Sequence, residues 1–522
     1  MVMRNAVVGS GPCGVACAAA LIARGEQVTI LDVGITLESE RTELVTRIAS
    51  QLSLQSDVPE LEHIKHAPLV HGLPLKLAYG SDFPYRGTDK VFVEDSASPA
   101  LVSSFAKGGL SNVWGANVLR YRPEDLKGWP ISHETLDPHY TAIERMIGLS
   151  ASRDGLEQLF PFDEDAAHSA LAPSEQAQAI LGALNSNRKL LQRQGVYFGR
   201  ARLAVDSDCI RCGNCLFGCP LGCIYTSAVT LERLRRQGVE YQPGIEVLRF
   251  QETADGVHIE ARSVASHERI TIKADRLLLA AGVVQTARVV LSSVPALRGV
   301  TSLKETQYFL IPTLIRLLRH DPAKERSHSL SQIFVEHVGE KTDYTVHYEI
   351  KTYNELYEKL IEARAGRMRR VFRPLIRALS KRLVVATGFL HSDYSTEFVL
   401  SVTGDRDQTR LRVSPTFNPE TLPRVRAAVH LFSSIARRGG LLPLSKMAHV
   451  AEPGRSFHYG ATFPMARFPE LPQTDSLGRL PGISHVHVVD SSVFPTVPAT
   501  TITLTAMANA HRIACECLNS EP

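Results

Sequence analysis

Apolar positions along the chain fall in short blocks that switch between two periods. Ala6-Val7-Val8 is a continuous apolar run, the mark of a strand buried on both faces. Glycines follow at once, and then an alanine-rich stretch from Val15 to Arg24 predicts a helix. Val28 to Leu31 predicts a second buried strand, ending on Asp32. The same order returns at Leu277-Leu278-Leu279-Ala280-Ala281-Gly282, which leads into a helix start at Val283. Val346 to Ile350 and Glu397 to Val402 have strand character. Strands alternating with helices predict an α/β chain, α+β overall. Residues 361–386 differ. Phe372, Leu375, Ile376, Leu379 and Leu383 recur at helical spacing, and Pro374 should kink that helix or start a new one.

Composition narrows the class without naming it. The chain has 522 residues, 44% hydrophobic and 21% charged, which suffices for a sizeable core and two to four domains. A formal net charge of +4 makes no case for nucleic acid. No run of 18 apolar residues appears, so no transmembrane helix is expected. The start, Met-Val-Met-Arg-Asn, enters a strand-like run directly and leaves no room for a signal segment, so the expected location is cytoplasmic. The 361–386 stretch qualifies this. It carries Arg364, Arg367, Arg369, Arg370, Arg373, Arg377, Lys381 and Arg382 against the single acid Glu362. One reading is a solvated amphipathic helix packed on its own domain. The other is a helix that touches a membrane surface or binds phosphate, giving peripheral membrane association.

Gly9-Ser10-Gly11-Pro12-Cys13-Gly14 is G-x-G-x-x-G in its required strand–turn–helix setting, with Asp32 after the next strand. Gly9 permits a tight turn, Gly11 lets the backbone approach a pyrophosphate, and Gly14 allows close helix–strand packing. The helix N-terminus offers free N–H groups to phosphates. Asp32 is placed to accept hydrogen bonds from ribose hydroxyls. The motif does not separate FAD from NAD.

Five of the nine cysteines lie between Cys209 and Cys223. In a large cytosolic enzyme such crowding means metal more often than disulfides. Cys209, Cys212, Cys215, Cys219 and Pro220 form C-x2-C-x2-C-x3-C-P, the spacing of bacterial ferredoxins. Zinc competes, because two C-x2-C steps can also make a tetrahedral site. The proline favours iron–sulfur. Cys209, Cys212, Cys215 and Cys219 are the expected ligands, with Cys223 in reserve. Cys13, Cys17, Cys515 and Cys517 sit in helical contexts and read as packing residues.

Further blocks follow in order: Lys107-Gly108-Gly109-Leu110-Ser111-Asn112-Val113-Trp114-Gly115, Arg122-Pro123-Glu124-Asp125, Gly128-Trp129-Pro130, Ala274 to Arg288, His458 to Met465, Val488 to Pro495, and Thr503 to Met507. Taken together with the N-terminal motif, they resemble the glucose–methanol–choline (GMC) oxidoreductase family, nearest its pyranose-oxidase and iron–sulfur sugar-dehydrogenase branch. Residues 300–450 match weakly. The resemblance implies a Rossmann-like FAD-binding domain from 1–36, 86–130, 200–299 and 450–522, which includes a cysteine loop at 207–225. It implies a discontinuous substrate domain on a β-sheet from 131–199 and 300–449.

FAD contacts are implied at Gly9, Gly11, Pro12, Cys13, Gly14, Asp32, Gly109, Ser111, Asn112, Trp114, Val247, Ala281 and Asp490. Val113 stands where the pyranose-oxidase branch has a flavin-linked histidine, so the FAD is expected to be non-covalent. His458 takes the place of the family's base in H-x-G-G-T-x-x-M, with Ala461 replacing the second glycine. Histidine suits that task because its pKa lies near working pH. Thr501 stands where the family has a second histidine or asparagine, and its hydroxyl offers hydrogen bonds without taking up a proton charge. His485 and His487 alternate on a strand and read as structural. Some bacterial relatives hold a three-iron cluster on C-x5-C-x3-C-P, a spacing that Cys209, Cys215 and Cys219 reproduce, so [4Fe–4S] and [3Fe–4S] both stay open.

The expected activity is FAD-dependent dehydrogenation of a primary or secondary alcohol of a sugar, cyclitol or glycoside. Electrons would leave through the cluster to an external acceptor such as a ferredoxin, quinone or cytochrome. A redox-neutral epimerase is the alternative, and a non-catalytic electron-transfer protein a third reading against which His458 argues.

Overall fold

The structure, a computed structural model, describes residues 2–53, 58–70, 73–93, 100–297, 301–339, 344–365, 369–404 and 409–519. The expected apolar runs form a sheet in the order Ile245–Thr253, Gly256–Ser263, Arg269–Leu279, Val2–Val8, Val28–Asp32, Glu240–Pro243. The last four strands of that series are parallel. Arg269–Leu279 changes partner along its length. Its start pairs antiparallel with Gly256–Ser263, and its end pairs parallel with Val486–Val488. That switch brings the C-terminal segment into the same sheet, one strand away from Val2–Val8, and sets Asp490 at the strand ends.

The first turn shows why glycine is required. Gly9 has φ +96°, its N–H donates to the Leu31 carbonyl at 2.8 Å, and a Cβ there would meet the Ala280 carbonyl oxygen at 2.8 Å. A Cβ on Gly14 would lie 1.9 Å from the Gly9 oxygen. The helix Pro12–Ile22 begins earlier than its apolar pattern announces, because Pro12 occupies its first turn, where no N–H is missed. It packs against the C-terminal helix Thr503–Glu516, and the Cys17 thiol donates to the Ala510 carbonyl at 3.2 Å.

A second, antiparallel sheet runs Leu441–Pro443, Gln307–Ile315, Leu383–Leu390, Val346–Lys351, Ile333–His337, Val196–Arg200. Alternation divides its faces. Phe309, Ile311, Tyr348, Ile350 and Ala386 bury against Ile180 and Leu184 of the helix Glu175–Asn185 and Val425 and Phe432 of the helix Thr421–Arg438. The register places Tyr308, Phe389 and His347 in one row of the other face, and Leu310, Thr387 and Glu349 in the next.

This unit is narrower than 131–199 plus 300–449. The strands Thr301–Glu305, Glu397–Thr403 and Arg410–Thr416 form a separate sheet with Tyr459–Gly460. Leu303, Phe398, Leu400, Leu411 and Val413 join the core of the nucleotide-binding sheet. Leu136, Tyr140 and Ile143 of the helix His133–Ile147 join it too. An alternating or helical apolar pattern announces a buried face but not which core covers it.

Residues 361–386 span the end of the helix Glu355–Ala365, the helix Arg369–Ser380 with Pro374 inside it, and the start of the strand Leu383–Leu390. Ile376 is buried, whereas Phe372, Leu375 and Leu379 are exposed. Arg373 pairs with Glu362 at 3.4 Å, Arg377 with Glu358 at 2.9 Å, and Lys381 with Asp321 at 2.7 Å. Arg367 lies outside the described residues, and the side chains of Arg364, Arg369 and Arg370 are likewise outside the description. Among the described residues no helix is long and apolar enough to cross a membrane.

Candidate active site

Two adjoining cavities meet at the N-terminal end of the helix Pro12–Ile22. The first, about 220 Å³, runs along the strand ends and is lined by Gly9, Gly11, Pro12, Cys13, Asp32, Gly109, Val247, Ala281 and Asp490, all expected cofactor contacts. Gly14 is not in its wall. It is the close-packing position beneath it. Asp32 accepts from Ser10 Oγ and, at 3.3 Å, from the Tyr241 hydroxyl. Burial raises its carboxyl to about 6 against these hydrogen bonds. Asp490 accepts from Thr286 Oγ1 at 2.5 Å and from the Ser492 N–H at 3.0 Å. Asn112 lines neither cavity. Its Nδ2 donates to the Lys107 and Gly109 carbonyls at 3.0 and 2.7 Å and so braces the glycine loop.

The second cavity, about 350 Å³, shares Pro12, Leu110, Phe457 and Thr503 with the first. Ser111, Trp114, His458 and Thr501 all line it, so the two expected catalytic residues and the tryptophan loop come together here. The His458 ring stacks on Phe389 with centroids 5.1 Å apart, and its Nδ1 has no hydrogen-bond partner. Burial holds the imidazole down to about 4, against the opposing pull of Glu349, so it is neutral at pH 7 and can take a proton. Thr501 is already engaged, because its Oγ1 accepts the Leu119 N–H at 2.7 Å. His485 and His487 face backbone carbonyls of Asp275 and Leu477 through Nδ1 at 3.0 and 2.9 Å, in keeping with structural roles.

Several lining residues escaped the motif reading: Lys76, Tyr308, Glu349, Lys351, Phe389 and Arg455. Glu349 is saturated with donors, from Asn117 Nδ2 at 2.6 Å, Lys351 Nζ at 2.6 Å and Ser331 Oγ at 3.1 Å. His347 lies between Glu336 and Glu349, with Nδ1 2.6 Å from Glu336 Oε1 and Nε2 3.6 Å from Glu349 Oε1. The Glu336 and Glu349 charges outweigh burial and raise His347 to about 9. A signal was present. In Val346-His347-Tyr348-Glu349-Ile350-Lys351 every second residue of an apolar strand is ionisable, which marks one face as a polar site.

All five loop cysteines line a small pocket closed by apolar groups such as Leu171, Val205 and Leu330, with His328 at its edge. All nine cysteines carry free thiols. The neighbouring Cys223 thiol holds Cys219 down to about 6, while burial pushes Cys215 up to about 12. A single zinc ion with Zn–S bonds of about 2.3 Å needs thiolates about 3.8 Å apart. Among the described residues the one group of three such ligands within 4.8 Å of one another is His139, His511 and Cys515, not the loop. Leu216, next to Cys215, lines the 350 Å³ cavity, so the cysteine pocket abuts it.

A parallel sheet with a glycine turn at its strand ends, opening into a cavity with a neutral histidine, defines a dinucleotide-dependent oxidoreductase. Residues 399–510 match the family model for GMC oxidoreductase. That match supports an oxidoreductase acting on CH–OH groups. In fold the chain is similar to the crystal structure of pyridoxine 4-oxidase from Mesorbium loti, at 15% identity, with 100% of both chains covered and a TM-score of 0.64. No curated protein matches the chain in sequence.

Proposed function

We propose that the chain is a dehydrogenase with non-covalent FAD and an iron–sulfur cluster, oxidising a primary or secondary alcohol carbon of a sugar, cyclitol or glycoside. The observation that carries this reading is one arrangement. A neutral, partner-free histidine lines a cavity that opens on one side to the dinucleotide groove and abuts on the other a pocket of five thiols. When bound, FAD supplies the hydride acceptor at N5 and the cluster a one-electron exit.

The chain's own groups do the rest. Gly9, Gly11 and the helix start at Pro12 favour the pyrophosphate, and Asp32 the ribose. His458 takes the hydroxyl proton as the hydride leaves. Thr501 holds the Leu119 backbone in place and orients the site. Val113 offers no group for a covalent flavin link. Cys209, Cys212, Cys215 and Cys219 would hold the cluster, with Cys223 in reserve. The exposed Phe372, Leu375 and Leu379 beside Arg373 and Arg377 give peripheral contact with an anionic membrane surface.

Anaerobic addition of candidate alcohols tests the activity. A dehydrogenase bleaches its flavin stably and turns over only with an added acceptor. Turnover with no acceptor would instead mark an epimerase. Acid precipitation should release the flavin into the supernatant, and flavin retained in the pellet would contradict non-covalent binding.

A further inference from the structure

Among the described residues Arg455 is a buried cation without a counterion. It lines the catalytic cavity with Tyr85, Tyr308 and His458, yet is only 4% exposed. Its Nε has no hydrogen-bond partner, and its guanidinium lies 5.4 Å from the centre of the Phe457 ring. Among the described residues it forms no ion pair. The neighbouring acids are engaged elsewhere. Glu305 accepts from the Gly454 N–H at 2.7 Å and Ser456 Oγ at 2.8 Å. Glu349 is held by Asn117, Ser331 and Lys351. A second cation, Lys76, lines the same cavity and donates to the Trp114 carbonyl at 2.8 Å. The wall thus carries Lys76, Lys351 and Arg455 against the single acid Glu349.

A buried charge without a partner is costly, and folds tolerate it where a ligand completes the pair. Guanidinium presents a planar fork of donors that matches carboxylate or phosphate oxygens two at a time. We propose that Arg455 is the anchor for an anionic group on the substrate, so that the alcohol oxidised here also carries a carboxylate or phosphate. This rests on the alcohol-oxidation reading and narrows its substrate class. Lys76 adds to the positive field of the cavity, and His458 faces the hydroxyl of the same molecule.

The test uses the FAD-loaded enzyme and two measurements. In the first, acetate, inorganic phosphate and the neutral isostere acetamide are titrated against the flavin spectrum. Saturable perturbation by acetate or phosphate and none by acetamide is expected, and the better of the two anions identifies the group recognised. Arg455→Met should weaken that anion about 10²-fold, and Arg455→Lys less, since truncating one partner of a buried charge pair costs binding on this order. In the second, kcat/KM is compared for a neutral sugar and its uronate or phosphate ester. The anionic member should be preferred, and Arg455→Met should erase the preference mainly through KM. Equal binding of acetate and acetamide, or an Arg455→Met protein with unchanged anion affinity, overturns the proposal. So does a wild-type enzyme blind to anions whose Arg455→Met variant loses FAD, because the guanidinium would then serve the cofactor. Anion binding without oxidation of any alcohol would sink the alcohol-oxidation reading and leave the anion site standing. Oxidation of neutral alcohols indifferent to anions would do the reverse.

Discussion

On the proposed mechanism His458 takes the hydroxyl proton, and its surroundings set the pH at which it can act. Burial against Phe389 holds it neutral above about pH 4. A base must be unprotonated to work, so the rate of flavin reduction should stay level from pH 8 down to about 5 and fall as pH drops through about 4. A rate that instead falls below about 6.5 would show an ordinary, solvated histidine. His458→Ala should slow flavin reduction by about 10²- to 10⁴-fold while retaining FAD, the usual scale for one positioned acid–base group. Thr501→Val should act differently. It strands the Leu119 N–H, which is buried with it, so thermal unfolding should report a loss of about 1–3 kcal/mol. Its effect on flavin reduction should be smaller than that of His458→Ala.

At the scale of elements, what was legible depended on whether a site is local in the chain. The turn from Val8 to Gly14 and the run from Cys209 to Cys219 are each contiguous, so residue type and spacing alone single them out as candidates. The wall of the catalytic cavity is not contiguous. Lys76, Tyr308, Glu349, Phe389 and Arg455 come from separate segments and meet only through the register of the second sheet and the loop before His458. A single sequence carries no cross-strand register. The strand Val346–Lys351 shows what that concealed. Its His347 is raised to about 9 from an ordinary value of about 6.5, so its contribution to stability is complete below about 6.5 and is lost as pH rises through 9. His347→Gln leaves the buried Glu336 and Glu349 charges without it and should cost about 3–5 kcal/mol in denaturant unfolding at pH 7. The gap between variant and parent should narrow by pH 9.5, and a gap that does not change with pH would contradict a charged His347. In the cysteine loop, Cys215→Ser should abolish bound iron and sulfide while leaving the flavin reducible by substrate.

Among the described residues the two larger cores hold the two larger sheets. The first gathers segments from both chain ends around the dinucleotide groove, and the second packs the sheet whose other face walls the catalytic cavity. The strand Glu397–Thr403 and the helix His133–Ile147, expected in the substrate domain, pack apolar residues into the first core, because such faces fit either core until the chain is folded. A protein with exposed Phe372, Leu375 and Leu379 beside arginines should sediment with vesicles containing anionic lipid, and less so with neutral ones or at high salt. Equal behaviour with both vesicle types would reduce that face to an ordinary solvated helix. On the proposed reading FAD and an iron–sulfur cluster share one chain. Its most direct test is the content of protein purified without oxygen. The account predicts about one FAD and about three to four each of iron and acid-labile sulfide per chain, by the ligand count. Stoichiometric zinc without sulfide, or flavin with neither, would contradict it.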